Sequence, residues 1–174
     1  MRLAILFAAL TLSLSHGSAH AQERLVSPKL PRFYIANSQS ANSETIVEEI
    51  LIGETLDDWT QMVTTLRMVG AQGTDPLHFA RTLRTRMLEG CADSDGSDAI
   101  RLDHTGAPGA FFVSRCPATE PGMRRQLVLT LIVAGDEALH MMQVILRRQH
   151  ERADAEAAMA MLEATQLCRA PCDD

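Results

Sequence analysis

The stretch QLVLTLIVAGDEALHMMQVILR at positions 126–147 decides the fold. Its first half, Gln126 to Ala134, is apolar at nearly every position, which is typical of a central strand covered on both faces. Gly135 and Asp136 then form a two-residue hairpin signal, and Ala138 to Arg147 returns as the partner strand. We therefore expect an antiparallel hairpin at the centre of a sheet.

Further strands are predicted outside this hairpin, where β-branched and aromatic residues alternate with polar turns. They are Arg32 to Asn37, Glu44 to Ile52, Asp98 to Asp103 and Ala110 to Cys116. Residues 38–43 (SQSANS) are expected to form a polar turn. Met62 to Val69 is ambiguous, because its alternation slightly favours a strand but it could also continue a short helix that begins at Thr55.

Two helices complete the predicted order of elements. Asp75 as N-cap and Pro76 at the first helical position start one helix, which Gly90 ends. An Ala-rich segment, Arg152 to Cys168, is expected to form the second helix. The order predicts an α+β domain, in which a single antiparallel sheet of about five to six strands is covered by helices in an α/β/α sandwich-like arrangement.

The N-terminus has the layout of a secretory signal peptide over residues 1–21. Arg2 supplies a positive charge, residues 3–14 are largely apolar, and Ala19-His20-Ala21 fits the small-residue cleavage pattern. The apolar part spans only about 12 residues, whereas about 20 are needed to cross a bilayer. We therefore expect the signal to be cleaved rather than kept as an anchor.

The chain after residue 21 is predicted to be one small exported domain. Residues 22–31 contain two prolines and are expected to form a flexible leader, while residues 32–172 form a single domain. The mature chain carries a net charge of about −7, which argues against nucleic acid and anionic membranes as partners. We expect a protein of the periplasm or the exterior, with no membrane insertion in its mature form.

All four cysteines, Cys91, Cys116, Cys168 and Cys172, follow the signal peptide. An even number of cysteines in an oxidising compartment predicts disulfide bonds, and four cysteines allow three connectivities. We favour Cys91–Cys116 and Cys168–Cys172, because the first ties a helix end to a strand and the second closes a short loop after a helix. The spacing contains no C-x-x-C motif, so neither a zinc site nor a thioredoxin-like redox pair is expected.

The sequence contains no complete catalytic motif, but its histidines leave one alternative open. His104, with Asp103 and Ser114, could supply parts of a hydrolase site, although Ser114 lacks the G-x-S-x-G elbow that exposes a nucleophile. His104, His140 and Asp136 could also assemble such a site from distant parts of the chain. The simpler interpretation of His140 is a histidine satisfied within the sheet, among Met and Leu residues.

Motifs for ligands and cofactors are sparse. Trp59 follows an acidic turn and could line a ligand pocket, as could His104 and His140, although core packing is the simpler role for Trp59. The loop DSDGSD at 93–98 resembles the start of a calcium loop but lacks the glycine and glutamate at the required positions. No Gly-rich phosphate loop or dinucleotide fingerprint is present. The sequence therefore predicts no cofactor and no metal site.

Three stretches together resemble a group of small exported bacterial proteins with no assigned activity. They are GETLDDWTQMVT at 53–64, LTLIVAGDEALHMMQVILRR at 129–148 and LCRAPC at 167–172. In that group an acidic-Trp turn precedes a Thr-bearing strand, and an aromatic residue is usual where His140 stands here. The resemblance implies this order of elements and the terminal Cys pairing, and it supplies no catalytic residue. The layout is also similar to the PsbP/Mog1-like α/β/α architecture.

The missing catalytic constellation and the disulfide-tied core favour a non-enzymatic periplasmic domain that binds a protein or small molecule, or accompanies an envelope system. A periplasmic hydrolase, with a site assembled from distant His and Asp residues, is the alternative. No motif identifies the ligand or partner itself.

Overall fold

The computed structural model describes residues 23–28, 32–118, 125–147 and 152–169. These residues form ten strands and two helices. In chain order they are β1 (Arg24–Val26), β2 (Phe33–Ala41), β3 (Glu44–Leu51), β4 (Gln61–Val69), α1 (Pro76–Glu89), β5 (Asp95–Gly96), β6 (Ile100–His104), β7 (Ala107–Cys116), β8 (Gln126–Ala134), β9 (Ala138–Arg147), α2 (Arg152–Ala164) and β10 (Gln166–Cys168).

The described strands form two antiparallel sheets. The large sheet has eight strands in the order β2-β3-β4-β9-β8-β7-β5, with β6 also paired to β7. The hairpin that the sequence predicts over residues 126–147 lies inside this sheet as β8 and β9, between β7 on one side and β4 on the other. The small sheet pairs β1 with β10.

The predicted fold class is wrong. The described residues are mostly β, with an eight-stranded and a two-stranded sheet and two helices, instead of one sheet of about five to six strands covered by helices. Residues 38–43, whose polarity predicts a turn, show one cause. Strand β2 continues through Ala41, and only Asn42 and Ser43 turn the chain, with φ of 51° and 69°. Polar side chains fit β2 because an edge strand of an antiparallel sheet can face water.

The two ends of the described chain also differ from expectation. Residues 24–26, expected within a flexible leader, form β1, and residues 166–168, expected to end the closing helix, form β10. Thr165 lies where the helix gives way to the strand. Its hydroxyl donates to the carbonyl of Met161 at 2.9 Å, a bond of the kind that competes with helical pairing. Local pattern cannot show the β1–β10 pairing, because it joins segments from opposite ends of the domain.

The helices cover the two faces of the large sheet unequally. Helix α1 packs against β6, β7 and β8, over a core that includes Phe112 and Met141. Helix α2 packs against β8 and β9 on the opposite face, where Leu25 of β1 joins a core that includes Met142. Met141 and Met142 belong to different cores because successive residues of a strand point to opposite faces. Neither described helix has its main contacts on β2 or β3, so this end of the sheet is the less covered one.

Helix α1 begins where the Asp-Pro pair predicts. Asp75 accepts a hydrogen bond from the backbone N–H of Leu77 at 3.0 Å and forms an ion pair with Arg101 at 2.9 Å. Arg101 and this N–H hold the pKa of Asp75 below its ordinary value. These contacts fix the start of α1 against strand β6.

The cysteines tie peripheral segments to the sheet. Cys91, directly after α1, forms a disulfide with Cys116 at the end of β7. Cys168 of β10 is also disulfide-bonded, and its predicted partner, Cys172, lies outside the described residues. The Cys91–Cys116 bond therefore holds the end of α1 against the sheet.

Candidate binding site

The carboxylate of Glu23, a residue only 2% exposed, is held by three groups of the β8–β9 hairpin. It accepts the backbone N–H of Asp136 at 2.9 Å and that of Glu137 at 3.3 Å. The Nε2 atom of His140 lies 3.0 Å from its Oε1 atom. We call these three groups, the two N–H groups and the His140 ring, the carboxylate cradle. Hydrogen bonds to a charged acceptor are stronger than neutral ones, so the cradle anchors the start of the described chain to the centre of the sheet.

The cradle sets the protonation state of both titratable partners. Burial by itself would raise the pKa of Glu23, but the Asp136 N–H, the His140 ring and the Glu137 N–H together hold that pKa below its ordinary value. Burial lowers the pKa of His140 and outweighs the opposing effect of Glu23. At neutral pH Glu23 is therefore ionised and His140 is neutral. Because an ionised carboxylate only accepts hydrogen bonds, Nε2 of His140 carries the proton and donates it.

Gly135 provides the space that the Glu23 carboxylate occupies. A Cβ atom at this position would overlap Oε1 and Cδ of Glu23, so a larger residue would push the carboxylate out of the cradle. The hairpin pattern alone explains a glycine here by its turn. The structure adds a second reason, which is the close approach of a buried side chain.

Two arginines reinforce the attachment of β1. Arg67 donates from Nε to the backbone carbonyl of Glu23 at 2.9 Å and from Nη2 to Glu137 at 3.0 Å. The Nε atom of Arg169 lies 3.6 Å from Oε2 of Glu23 and 3.1 Å from Oδ2 of Asp136. The segment that begins at Glu23 is thus connected to β4, to the β8–β9 turn and to the residue that follows β10.

The structure does not bring the predicted hydrolase residues together. Nε2 of His104 lies 2.7 Å from the backbone oxygen of Thr165, whereas the His140 ring pairs with Glu23. The side chain of Asp136 is 77% exposed and pairs with Arg169, so Asp136 meets the cradle only through its backbone. Among the described residues, no hydrogen bond or ion pair joins His104 to His140 or to Asp136.

Ser114 and Asp103 are the other residues of the predicted hydrolase site. Ser114 is buried within β7, where it pairs with Val128 of β8. The carboxylate of Asp103 accepts the backbone N–H of Gly106 at 2.8 Å and thereby stabilises the turn between β6 and β7. Neither side chain is placed to act with His104 as a nucleophile or an orienting acid.

Trp59 belongs to the core instead of a ligand pocket. It is 4% exposed and packs with Ile50 and Met62 in a small apolar cluster. The guanidinium of Arg147 lies 3.6 Å from the centroid of its ring, which is the arrangement of a cation–π contact. Trp59 therefore holds the loop before β4 against the end of the sheet.

An open groove lies next to the cradle, with a volume of about 610 Å³. We call it the β1 groove. One side is formed by residues 23–27 and the floor by side chains of β2, β3, β4 and β9 on the less covered part of the α2 face. Its lining residues are Glu23, Arg24, Leu25, Ser27, Ile35, Thr45, Val47, Glu49, Thr65, Arg67 and Met142. A volume of this size falls within the range of about 300–1,000 Å³ that is usual for small-molecule sites.

Strand register explains the order of side chains along the groove floor. Val47 of β3 is paired with Thr65 of β4, which is paired in turn with Met142 of β9. Glu49 lies two residues from Val47 along β3, on the same face. Arg67 lies two residues from Thr65 along β4, in the opposite direction. The floor thus has a carboxylate towards one end of the strands and a guanidinium towards the other, with Val47 and Thr65 between them.

Glu49 has an environment unlike that of Glu23. Its flanking partners across the sheet are Ile35 and Val63, and no hydrogen bond or ion pair joins its side chain to any residue in the part of the chain that the structure describes. Burial raises its pKa above the ordinary value. Glu49 is therefore a partly dehydrated carboxylate that faces the groove without a fixed partner.

The sequence did not identify Glu23, Glu49 or Arg67. Glu23 lies 117 residues from His140 along the chain, and its position shortly after the predicted cleavage site was its only distinguishing signal. A carboxylate within the apolar strand segment ETIVEEIL was a possible signal for Glu49. Only the pairing of strands distant in sequence places these residues on one face.

Membrane-spanning helices and metal-ligand clusters are both absent from the described residues. No helix in residues 23–28, 32–118, 125–147 and 152–169 is both long and apolar enough to span a bilayer. In the same ranges, no three His, Cys, Asp or Glu side chains are grouped as ligands for a metal ion.

Comparisons with known proteins leave the family open. No family model and no curated protein sequence matches the chain. Among solved structures it is similar to the crystal structure of LpqN, which is involved in cell envelope biogenesis of Mycobacterium tuberculosis. The two are 11% identical over 86% of this chain and 83% of that chain, with a TM-score of 0.42. A similarity at this level carries no conclusion about activity, and the resemblance to small exported bacterial proteins stays a prediction.

Proposed function

We propose that this chain is an exported, non-enzymatic binding domain and that the β1 groove holds its ligand or a segment of its partner protein. The observation that carries the proposal is the groove itself, a volume of about 610 Å³ on the part of the sheet that the helices leave less covered. Its floor combines apolar side chains with a carboxylate that has no partner among the described residues. Concave sites of this composition are the usual binding sites of small molecules.

Export is supported by two features. Residues 1–21 have the charged start, apolar stretch and small-residue end of a signal peptide. Cys91 and Cys116 form a disulfide, and such bonds persist mainly in oxidising compartments. A periplasmic or secreted location is therefore part of the proposal.

Binding is favoured over hydrolysis by the surroundings of His140. A catalytic histidine needs a free nitrogen within reach of a nucleophile or a substrate. Here Nε2 is engaged with Glu23, and Nδ1 is buried with no hydrogen-bond partner. His140 itself is 0% exposed, so the Glu23–His140 pair acts as a structural anchor in this proposal.

A groove-filling substitution tests the proposal. Val47→Trp would fill the middle of the floor, and Val69→Trp, at a partly exposed position at the end of β4, is the matched control. The tagged chain, exported and purified without residues 1–21, is used for capture from a periplasmic extract and for a melting-temperature screen against metabolites. We expect the wild type and Val69→Trp to retain the same partner or ligand and Val47→Trp to lose it, with circular dichroism unchanged.

Two outcomes would overturn the proposal. The first is a wild-type chain that captures no protein and shows no ligand-induced rise in melting temperature. The second is a ligand or partner that Val47→Trp retains with full affinity, because its site would then lie elsewhere.

A further inference from the structure

The polar groups around the β1 groove differ in whether they already have partners. The Glu23 carboxylate is taken up by the cradle, and Arg67 donates to Glu23 and Glu137. Arg24, the other cation of the lining, is also engaged. Glu49 alone among these four charged side chains has no hydrogen bond or ion pair within the described residues. A ligand that enters the groove therefore meets one carboxylate whose interactions are not yet satisfied.

The position of Glu49 defines a shape for that ligand. Beside Glu49 lie Val47, two residues along β3, and Ile35 of β2, its cross-strand partner, which is 60% exposed. Arg67 is cross-strand to Thr45, which is four residues along β3 from Glu49, or about 13 Å at the usual rise of a strand. The guanidinium is thus too far from Glu49 to neutralise it, while the apolar surface lies directly beside it.

We propose that the β1 groove binds an organic cation with an apolar body, whose ammonium group pairs with Glu49 and whose hydrocarbon part lies over Val47 and Ile35. This inference rests on the proposed function and names its ligand class. A charge removed from water requires an opposite charge, and an incoming ammonium would supply one to Glu49. The net charge of the mature chain, about −7, also favours the approach of cations.

An anionic ligand fits the same groove poorly. Its charge would meet Glu49 at one end, and at the other it would have to displace Glu137 from Arg67. A neutral ligand would leave Glu49 partly dehydrated and unpaired. Because Glu49, the charged lining residue without a partner among the described residues, is an acid, the groove favours a cation.

Three probes with the same chain test this choice: n-octylammonium, n-octanol and n-octanoate. Their affinities for the exported chain are measured by calorimetric titration at pH 7.5 and low ionic strength. We expect octylammonium to bind roughly tenfold more tightly than octanol, as a charge-assisted hydrogen bond predicts, and octanoate to bind most weakly.

Variants of strand β3 locate the effect. Glu49→Gln should remove the preference for octylammonium over octanol, whereas Glu44→Gln, which removes the same charge from an exposed position on the same strand, should retain it. Val47→Trp should weaken all three probes. Methyl NMR signals of Val47 and Ile35 should shift when octylammonium is added to the wild type.

The possible results separate the two proposals. If octanol or octanoate binds as tightly as octylammonium, or if Glu49→Gln keeps the preference, the ligand class is wrong although the groove remains a binding site. If none of the three probes binds while a partner is captured through the groove, the ligand class is again wrong. If Val47→Trp binds octylammonium like the wild type, both proposals fail.

Discussion

Two glutamates on the same side of the large sheet have opposite environments. Glu23 is almost fully buried, yet its pKa lies below the ordinary value because the cradle supplies donors. Glu49 is less buried, yet its pKa lies above the ordinary value because burial is not offset by any partner. Burial therefore does not decide the charge of a carboxylate by itself, since the fixed donors around it matter as much. One glutamate completes the fold, and the other is available for a ligand.

The largest expected effect on stability comes from removing the carboxylate of Glu23, whose hydrogen bonds are satisfied by the cradle. Glu23→Ala leaves two backbone N–H groups and the ring of His140 without their acceptor, which should lower the free energy of unfolding by about 3 kcal/mol. Urea denaturation at pH 7.5 measures this change. Glu89→Ala, at an exposed position of α1, is the control and should change stability by less than about 0.5 kcal/mol. Equal effects of the two substitutions would show that the cradle contributes no more to the free energy of unfolding than an exposed surface residue does.

Gly135→Ala should break the same anchor from the opposite side. The added methyl group overlaps the Glu23 carboxylate, and we expect a loss of about 2 kcal/mol in unfolding free energy. Gly73→Ala is the matched control, because a Cβ there meets no atom within 4 Å. The effect of Gly135→Ala should nearly vanish in a Glu23→Ala background, since the clash is then absent. Additive effects of the two substitutions would contradict the role assigned to Gly135.

Acidification should reduce stability through the cradle. His140 has a lowered pKa in the folded protein, so protons bind preferentially to the unfolded chain as the pH falls below the ordinary value of 6.5. Glu23 adds a further loss as the pH falls below its ordinary value of 4.5 and through its lower folded pKa. Both effects lower the free energy of unfolding as the pH falls from 7.5 to 4.

Melting temperatures across this pH range measure the acid effect. Glu23→Gln should be less stable than the wild type at pH 7.5 and should lose less stability below pH 4.5. Parallel curves for the two proteins would argue against an ionised Glu23 in the folded state.

The smallest expected effect comes from the unsatisfied carboxylate. The raised pKa of Glu49 means that the folded state binds its proton more tightly, so ionisation above this pKa costs stability. Glu49→Gln should therefore stabilise the protein by about 0.5 kcal/mol at pH 7.5, after allowance for screening by solvent. Glu44→Gln should leave stability unchanged. A clear loss of stability in Glu49→Gln would reveal a partner for Glu49 and remove the contrast with Glu23.

The elements that the sequence predicts differ in kind from those that it misses. The β8–β9 hairpin and the start of α1 follow from local signals, namely an apolar run, Gly135-Asp136 and Asp75-Pro76. The polar strand β2 and the short strands β1 and β10 lack such signals, because their stability comes from pairing with distant segments. The predicted sheet therefore had too few strands, and residues 166–168 of β10 were assigned to a helix.

The candidate site was missed for a related reason. His104, His140 and Trp59 stand out in the sequence by residue type alone. Of these three only His140 belongs to the cradle, and its partner Glu23 lies 117 residues away along the chain. Glu49 belongs to no sequence motif, because its environment depends on the side chains that β2 and β4 place beside it.

The most direct test is a pH titration of the glutamate side-chain carboxyl carbons by NMR, without and with n-octylammonium. The account predicts that Glu23 titrates below 4.5 and Glu49 above it, and that octylammonium lowers the pKa of Glu49 while leaving that of Glu23 unchanged. Indistinguishable pKa values for the two glutamates, or a Glu49 pKa that does not respond to octylammonium, would contradict it.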